Sequence, residues 1–266
     1  MIVKMSRNSV ERLVADELIR LVRAVGLELY RDEEGLALEG DGMVVRADFG
    51  EMLPRLRPQN LQRELLVRAC RIKPARLKAA EGKDRAYNRA NGDDASAYGP
   101  RPIRVLDATA GLGEDSLLLA AAGFQVTMYE SDPVIAALLG DGVRRAAGHP
   151  ALAEIVSRMD VVEGDSVAAM RAIGDEPMTA SAPPDVIYLD PMFPERQKSG
   201  KIKKKFQLLQ RLESPCADEE DLLAAAIAAK PIRIVIKRPL KGPALAGRKP
   251  SFVLKGKSIR YDCIVL

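Results

Sequence analysis

Within Leu189-Asp190-Pro191-Met192-Phe193-Pro194 an acid, a main-chain carbonyl and an aromatic ring fall close together at the end of an apolar run. That grouping can hold an aromatic amine. Such a nitrogen is a poor nucleophile because its lone pair is delocalised into the ring. The side chain of Asp190 and the carbonyl of Pro191 can accept its N–H bonds and favour a pyramidal nitrogen, while Phe193 stacks on the base. In-line positioning supplies most of the acceleration in such chemistry, so no strong general base is required. The single histidine, His149, fits that economy, and no metal is expected. Taken alone, Asp-Pro-x-Phe reads equally well as a strand-ending turn with a buried aromatic.

A second stretch shows what could be held beside that amine. Arg104-Val-Leu-Asp-Ala-Thr-Ala-Gly-Leu-Gly-Glu-Asp115 runs an apolar strand into a small-residue turn, followed by an Ala/Leu-rich helix. Gly111 and Gly113 carry no Cβ, so the backbone can turn sharply and approach a ligand closely. An α/β fold binds an adenosine-containing cofactor at such a turn, although dinucleotide sites and plain turns share the pattern. Ligands in a doubly wound sheet sit beyond the carboxyl ends of the strands. Asp107, Glu130, Asp165-Ser166 and Asp190 each fall at such an end. Glu130, nineteen positions after Gly111, is placed to accept from ribose hydroxyls, and Asp165-Ser166 to read an adenine amine.

The acids separate the cofactors. A pyrophosphate favours helix N-terminal amides and is repelled by carboxylates. S-adenosylmethionine has no phosphate and carries a sulfonium and an ammonium. Glu114-Asp115, directly after Gly113, therefore suits S-adenosylmethionine better than a nicotinamide dinucleotide. Asp115 is also expected to cap the helix over 116–122.

The net charge of +4 is unevenly placed: Glu195 to Lys205 holds six lysines and arginines against one acid. Lys198, Lys201, Lys203, Lys204 and Lys205 follow directly on the amine-holding motif, so a polyanion such as RNA would be drawn there with salt-sensitive affinity. Lys237-Arg238, at the end of the last parallel strand, is expected to add phosphate contacts. The alternative in each case is a solvated surface. The 47% apolar share is ordinary for a globular chain. No run is long enough to span a bilayer, and the N-terminus lacks a signal-peptide pattern. Cys70, Cys216 and Cys263 are scattered without metal spacing, which fits thiols in a reducing cytosol and a cytoplasmic protein without a membrane partner.

Elements must place these residues. Strands are predicted at 103–108, 125–130, 158–163, 185–190 and 232–237, with helices at 115–122, 133–147, 166–173 and 218–229 between them. Such alternation predicts a parallel sheet covered on both faces. Phe252–Lys255 and Ile259–Val265 read as a closing antiparallel hairpin, a feature of class I (Rossmann-like) methyltransferases that is less usual in NAD-binding domains. Ahead of this domain, a helix over 9–25 and short strands around 27–30, 36–39 and 43–48 predict a small α+β module, followed by a helix over 61–72. Residues 83–100 read as a linker, giving a module with linker at 1–98 and a methyltransferase domain at 99–266.

Four stretches together resemble the bacterial ribosomal small-subunit RNA methyltransferase J family. They are Asp107 to Gly113, Asp132 to Leu139 with Asp141-Gly142, Tyr188 to Pro194 with Gln197-Lys198-Ser199, and Val235 to Pro239. The resemblance implies transfer of a methyl group from S-adenosylmethionine to the exocyclic N2 of a guanine in 16S rRNA, on the small ribosomal subunit or its assembly intermediate. It further implies cofactor contacts at Glu114, Asp115, Glu130, Ser131, Asp165, Ser166 and Asp190. The family usually has arginine at position 114, a basic residue at 131 and serine at 165, so this chain departs from it there. An adenine-N6 or protein-amide methyltransferase, a non-catalytic cofactor- and RNA-binding protein, and a nicotinamide oxidoreductase are the competing readings, and the oligomeric state stays open.

Overall fold

The computed structural model describes residues 7–77, 101–175, 183–191, 208–209, 211–212 and 218–266, with side chains from residue 16 onward. Strands β1 (Glu28–Asp32), β2 (Gly35–Gly40) and β3 (Met43–Val45) form a small antiparallel sheet. The larger sheet contains β4 (Arg104–Asp107), β5 (Gln125–Glu130), β6 (Met159–Glu163), β7 (Val186–Leu189), β8 (Arg233–Pro239), β9 (Phe252–Lys255) and β10 (Ile259–Val265). The main helices are α1 (Arg7–Ala24), α2 (Leu65–Cys70), α3 (Glu114–Ala121), α4 (Pro133–Ala147), α5 (Ser166–Asp175) and α6 (Glu219–Ala228).

The large sheet runs β6-β5-β4-β7-β8-β10-β9, parallel from β6 through β8, with β10 antiparallel to both neighbours. From β4 the chain builds outward to β6 and then crosses back to β7. The reversal opens a crevice beyond the carboxyl ends of β4 and β7. Alternation within β7 shows how both faces are filled. Val186 and Tyr188 join a core containing Leu66 of α2 and Leu117, Leu118 and Leu119 of α3. Ile187 and Leu189 join the opposite core with Met170 of α5 and Leu222 and Leu223 of α6. All four are buried, as a strand covered on both sides requires.

The N-terminal segment differs from expectation in two ways. The helix expected over 61–72 is interrupted: a turn of helix at Pro58–Leu61 is separated from α2, and Gly50–Leu56 is helical before it. Proline explains the pattern. Pro54 and Pro58 each occupy a first helical turn, whereas Arg57, directly before Pro58, is forced into an extended conformation with ψ 136° that ends the preceding turn. The strand expected over 43–48 stops at Val45.

The small sheet is fastened to α4. Val134, Ile135 and Leu138 of that helix share a core with Leu18, Val22, Leu29, Leu38 and Val45. At the joint Asp141 is 2% exposed. It accepts from the Leu36 N–H at 2.9 Å and from Arg145 Nε at 2.8 Å, and pairs with Arg31 at 2.7 Å. These donors hold its carboxyl down at about 2, from an ordinary 3.8. A carboxylate depressed in the folded state stabilises above its unfolded pKa, and that contribution is lost as pH falls from about 4 to about 2. Asp141→Ala is expected to cost about 2–3 kcal/mol at neutral pH, because it leaves a buried N–H and a half-buried guanidinium without their acceptor. Urea titration of both proteins should show the gap closing at acid pH; a gap independent of pH would contradict the assignment.

Candidate active site

The turn between β4 and α3 is held by acids behind it. Gly111 (φ +54°) and Gly113 (φ +80°) are both in the left-handed region. A Cβ at Gly111 would meet nothing within 4 Å, so the turn faces open space there. Glu130, at the end of β5, is buried. Its Oε2 accepts from the Gly111 N–H and its Oε1 from the Asp132 N–H, each at 2.9 Å. The carboxylate thus ties the glycine turn to the start of α4, and burial raises its pKa despite these amides. Each oxygen keeps a second lone pair for a ligand hydroxyl.

Asp107 lies beneath the turn, 1% exposed. It accepts from Ser116 Oγ at 2.6 Å and from the Thr109 N–H at 3.1 Å. Burial outweighs both donors and pushes its carboxyl up to about 7. The folded protein therefore holds this proton more tightly than the unfolded chain, and stability falls as pH rises from about 4 to about 7. Asp107→Asn should escape that loss. Its advantage in Tm over the native protein is expected to grow between about pH 4.5 and about pH 8; a difference constant with pH would show that the carboxyl titrates normally.

Asp190 stands at the carboxyl end of β7, beside the turn. Its N–H donates to Thr109 Oγ1 at 2.7 Å, and the Ala108 N–H donates to the Tyr188 carbonyl at 3.0 Å. The glycine turn and the Asp190-Pro191 segment are thereby fixed in register across neighbouring strands. Lys237 of β8 reaches both sides: Nζ is 2.7 Å from Asp115 Oδ2 and 2.9 Å from Asp190 Oδ2. The Tyr188 hydroxyl donates to the same Asp115 oxygen at 2.6 Å.

Three expectations change here. Asp115 does not cap its helix. Gly113 is the N-cap, α3 starts at Glu114, and the Asp115 carboxylate turns to Lys237 and Tyr188. Lys237 is 18% exposed and engaged by two carboxylates, so it is not a surface cation. Arg238 is 1% exposed, donating to the Pro243 carbonyl at 2.8 Å and pairing with Glu219 at 3.2 Å. Sequence reasoning missed the Lys237 bridge, Tyr188 and Thr109.

The other candidates line the same strand ends. Glu114 and Ser131 are exposed, while Ser166 is buried at the start of α5. The exposed Asp165 accepts from the Val167 N–H at 2.8 Å. Pro191 is buried next to Asp190. Met192, Phe193, Lys198, Lys201, Lys203, Lys204 and Lys205 lie outside the described residues.

Residues 71–266 match the family model described as "Putative SAM-dependent methyltransferase". A protein of Marinobacter nauticus named ribosomal RNA small subunit methyltransferase J is 39% identical over 247 residues, covering 91% of this chain and 78% of that protein. The chain belongs to the ribosomal RNA small subunit methyltransferase J family. A protein of the same name from Pseudomonas fluorescens is 49% identical over 166 residues, 62% of this chain and 61% of its own length. Among solved structures, a SAM-dependent methyltransferase of Neisseria gonorrhoeae superposes with a TM-score of 0.60 at 28% identity, covering 94% of this chain and 91% of that one.

The chain is thus an S-adenosylmethionine-dependent methyltransferase, and its residues fit that group. The open space before Gly111 admits a ligand against bare backbone. Glu130 at the turn and Glu114, with Asp115 and Asp190 sharing the one Lys237 ammonium, leave this edge net acidic, which suits sulfonium and ammonium charge and opposes pyrophosphate.

Proposed function

We propose that this protein transfers the methyl group of S-adenosylmethionine to the exocyclic N2 of a guanine in small-subunit ribosomal RNA, in the cytoplasm. The observation that carries the reading is Asp190, an acid fixed through its own N–H to Thr109 of the cofactor turn at 2.7 Å. The cofactor, when bound, supplies an electrophilic methyl group. This chain's residues do the positioning. Asp190 and the Pro191 carbonyl accept the amine N–H bonds, and Phe193 stacks on the base. Gly111 to Gly113, Glu130 and Ser131, Asp165 and Ser166 hold the adenosine and methionine parts. Lys198, Lys201, Lys203, Lys204 and Lys205 grip RNA phosphates, together with the module at 1–98; the unit at 99–266 carries the chemistry.

The test offers the protein labelled S-adenosylmethionine with immature 30S subunits, naked 16S rRNA and DNA, followed by mapping of the modified base. Label is expected at guanine N2 in the small-subunit RNA. No transfer to RNA in any assembly state overturns the reading, and label at adenine N6 moves it to the alternative amine. The double variant Lys203→Glu with Lys204→Glu should weaken RNA binding and steepen no other defect: cofactor affinity stays at the native value. Unchanged RNA affinity would make the lysine run a solvated surface.

A further inference from the structure

Lys237 was expected at the RNA surface, and its geometry gives it a different task. Its ammonium is shared between Asp115 Oδ2 at 2.7 Å and Asp190 Oδ2 at 2.9 Å, with the side chain 18% exposed. The two acids come from distant parts of the chain, α3 and the end of β7, and meet on one nitrogen. Two of its three N–H donors are taken by these carboxylates, which also offset its charge toward a phosphate. We infer that Lys237 is a positioning residue of the methyl-transfer site, holding the Asp190 carboxylate ionised and oriented as an acceptor for the target amine. This rests on the reading of Asp190 as the group that receives the amine N–H.

The reason is electrostatic. Two carboxylates within reach of one nitrogen are close neighbours, and without a cation between them one tends to hold a proton. A protonated Asp190 would present an O–H donor where the amine needs an acceptor. The groups that face the ammonium are mostly acids and neutral hydroxyls, with the Tyr188 hydroxyl donating to Asp115. From α3 come Asp115 and the more distant Glu114; from β7, Tyr188 and Asp190; from β10, Tyr261, directly opposite Lys237 in register. Asp107 on β4 adds a further acid and Cys70 on α2 a neutral thiol. Arg55 also favours the Asp115 carboxylate, but is exposed and itself paired with Glu64 at 2.9 Å. Lys237 cannot serve as a base, because Asp115 and Asp190 hold its proton well above the ordinary lysine range.

The test measures the single-turnover rate on small-subunit RNA at saturating S-adenosylmethionine from about pH 5 to about pH 9, with RNA affinity in parallel. Lys237→Met is expected to slow methyl transfer about 100-fold at neutral pH and to move the acid limb of the profile up by about one pH unit or more, with RNA affinity within about twofold of native. Lys237→Arg should restore most of the acid limb. So should the double variant Lys237→Met with Asp115→Asn, which removes the competing negative charge together with the ammonium. A purely structural lysine would lower the rate without moving the limb, and a phosphate-binding lysine would weaken RNA affinity instead; either result overturns the inference. Should Lys237→Met alone not fold, the arginine and double variants give the same readout, and an acid limb shifted upward in both would refute it. Native protein that methylates no RNA defeats the functional reading itself, whereas native activity with an unmoved limb in the variants defeats only this role of Lys237.

Discussion

Asp190→Ala is expected to lower the single-turnover rate of methyl transfer about 10²- to 10³-fold, leaving RNA affinity within about twofold of native. The size follows from what one preorganised hydrogen-bonding group contributes when aimed at a reacting centre. Asp190 is such a group: its backbone is pinned to Thr109 Oγ1 and its carboxylate to Lys237, so its orientation is set before substrate arrives. Alanine keeps the backbone bond to Thr109 and removes only the acceptor. Asp190→Asn should fall between the two, since it retains an acceptor oxygen but loses the charge that Lys237 pairs with. Rapid-quench measurement on small-subunit RNA, with cofactor binding followed by calorimetry, separates these cases. If alanine weakened RNA affinity tenfold and left the rate alone, Asp190 would be a docking residue and the amine-holding role would fail.

Gly113→Val is expected to be the most destabilising single change at the site, costing about 3–5 kcal/mol and lowering Tm by roughly 10 °C. Two costs coincide. The backbone there has φ +80°, which a β-branched residue adopts only with strain. A Cβ would also lie 2.5 Å from Leu139 Cδ1 and 3.3 Å from Phe49 Cζ. Both neighbours are buried, Leu139 in α4 and Phe49 before the short helical turns, so neither can swing away into solvent. Gly111→Ala makes the control. Its Cβ enters open space, so stability should fall by only about 1 kcal/mol, while the methyl group takes up room on the ligand side and weakens cofactor binding. Thermal melts with and without S-adenosylmethionine distinguish the pair. Equal losses of stability would mean that the packing around Gly113 is slack.

The parallel sheet was legible because its strands announce themselves locally. Val186 to Leu189 is continuously apolar, Gln125 to Glu130 buries every second residue, and each is followed by a turn or cap residue and a helical pattern. The closing hairpin was legible for the same reason. Glu130 was singled out by its spacing to Gly111, but its backbone partners were not, since a strand-end acid can face ligand, solvent or the turn with equal ease in a sequence. Lys237 was misread because pairing across 122 positions to Asp115 leaves no local trace. The break at Gln62 to Glu64 was hidden by a helical run of apolar residues on both sides, and only the preceding prolines hinted at short turns. The joint between α4 and the small sheet was invisible, because α4 carries apolar residues toward two different cores at once.

That last feature bears on how the protein can be divided. Leu139 and Ala146 of α4 face the large sheet's core, whereas Val134, Ile135 and Leu138 share a core with side chains from α1 to β3 and with Leu208 and Leu209. A fragment starting at residue 99 would keep every strand of the large sheet yet strip the α1-to-β3 part of the apolar cover from the helix whose first turn adjoins the Glu130 brace. Such a fragment should self-associate and lose protection of the Gly111 amide against hydrogen exchange, though no residue of the proposed chemistry has been removed. The small sheet is in this sense a folding partner of the cofactor turn, supplied in cis by the same chain.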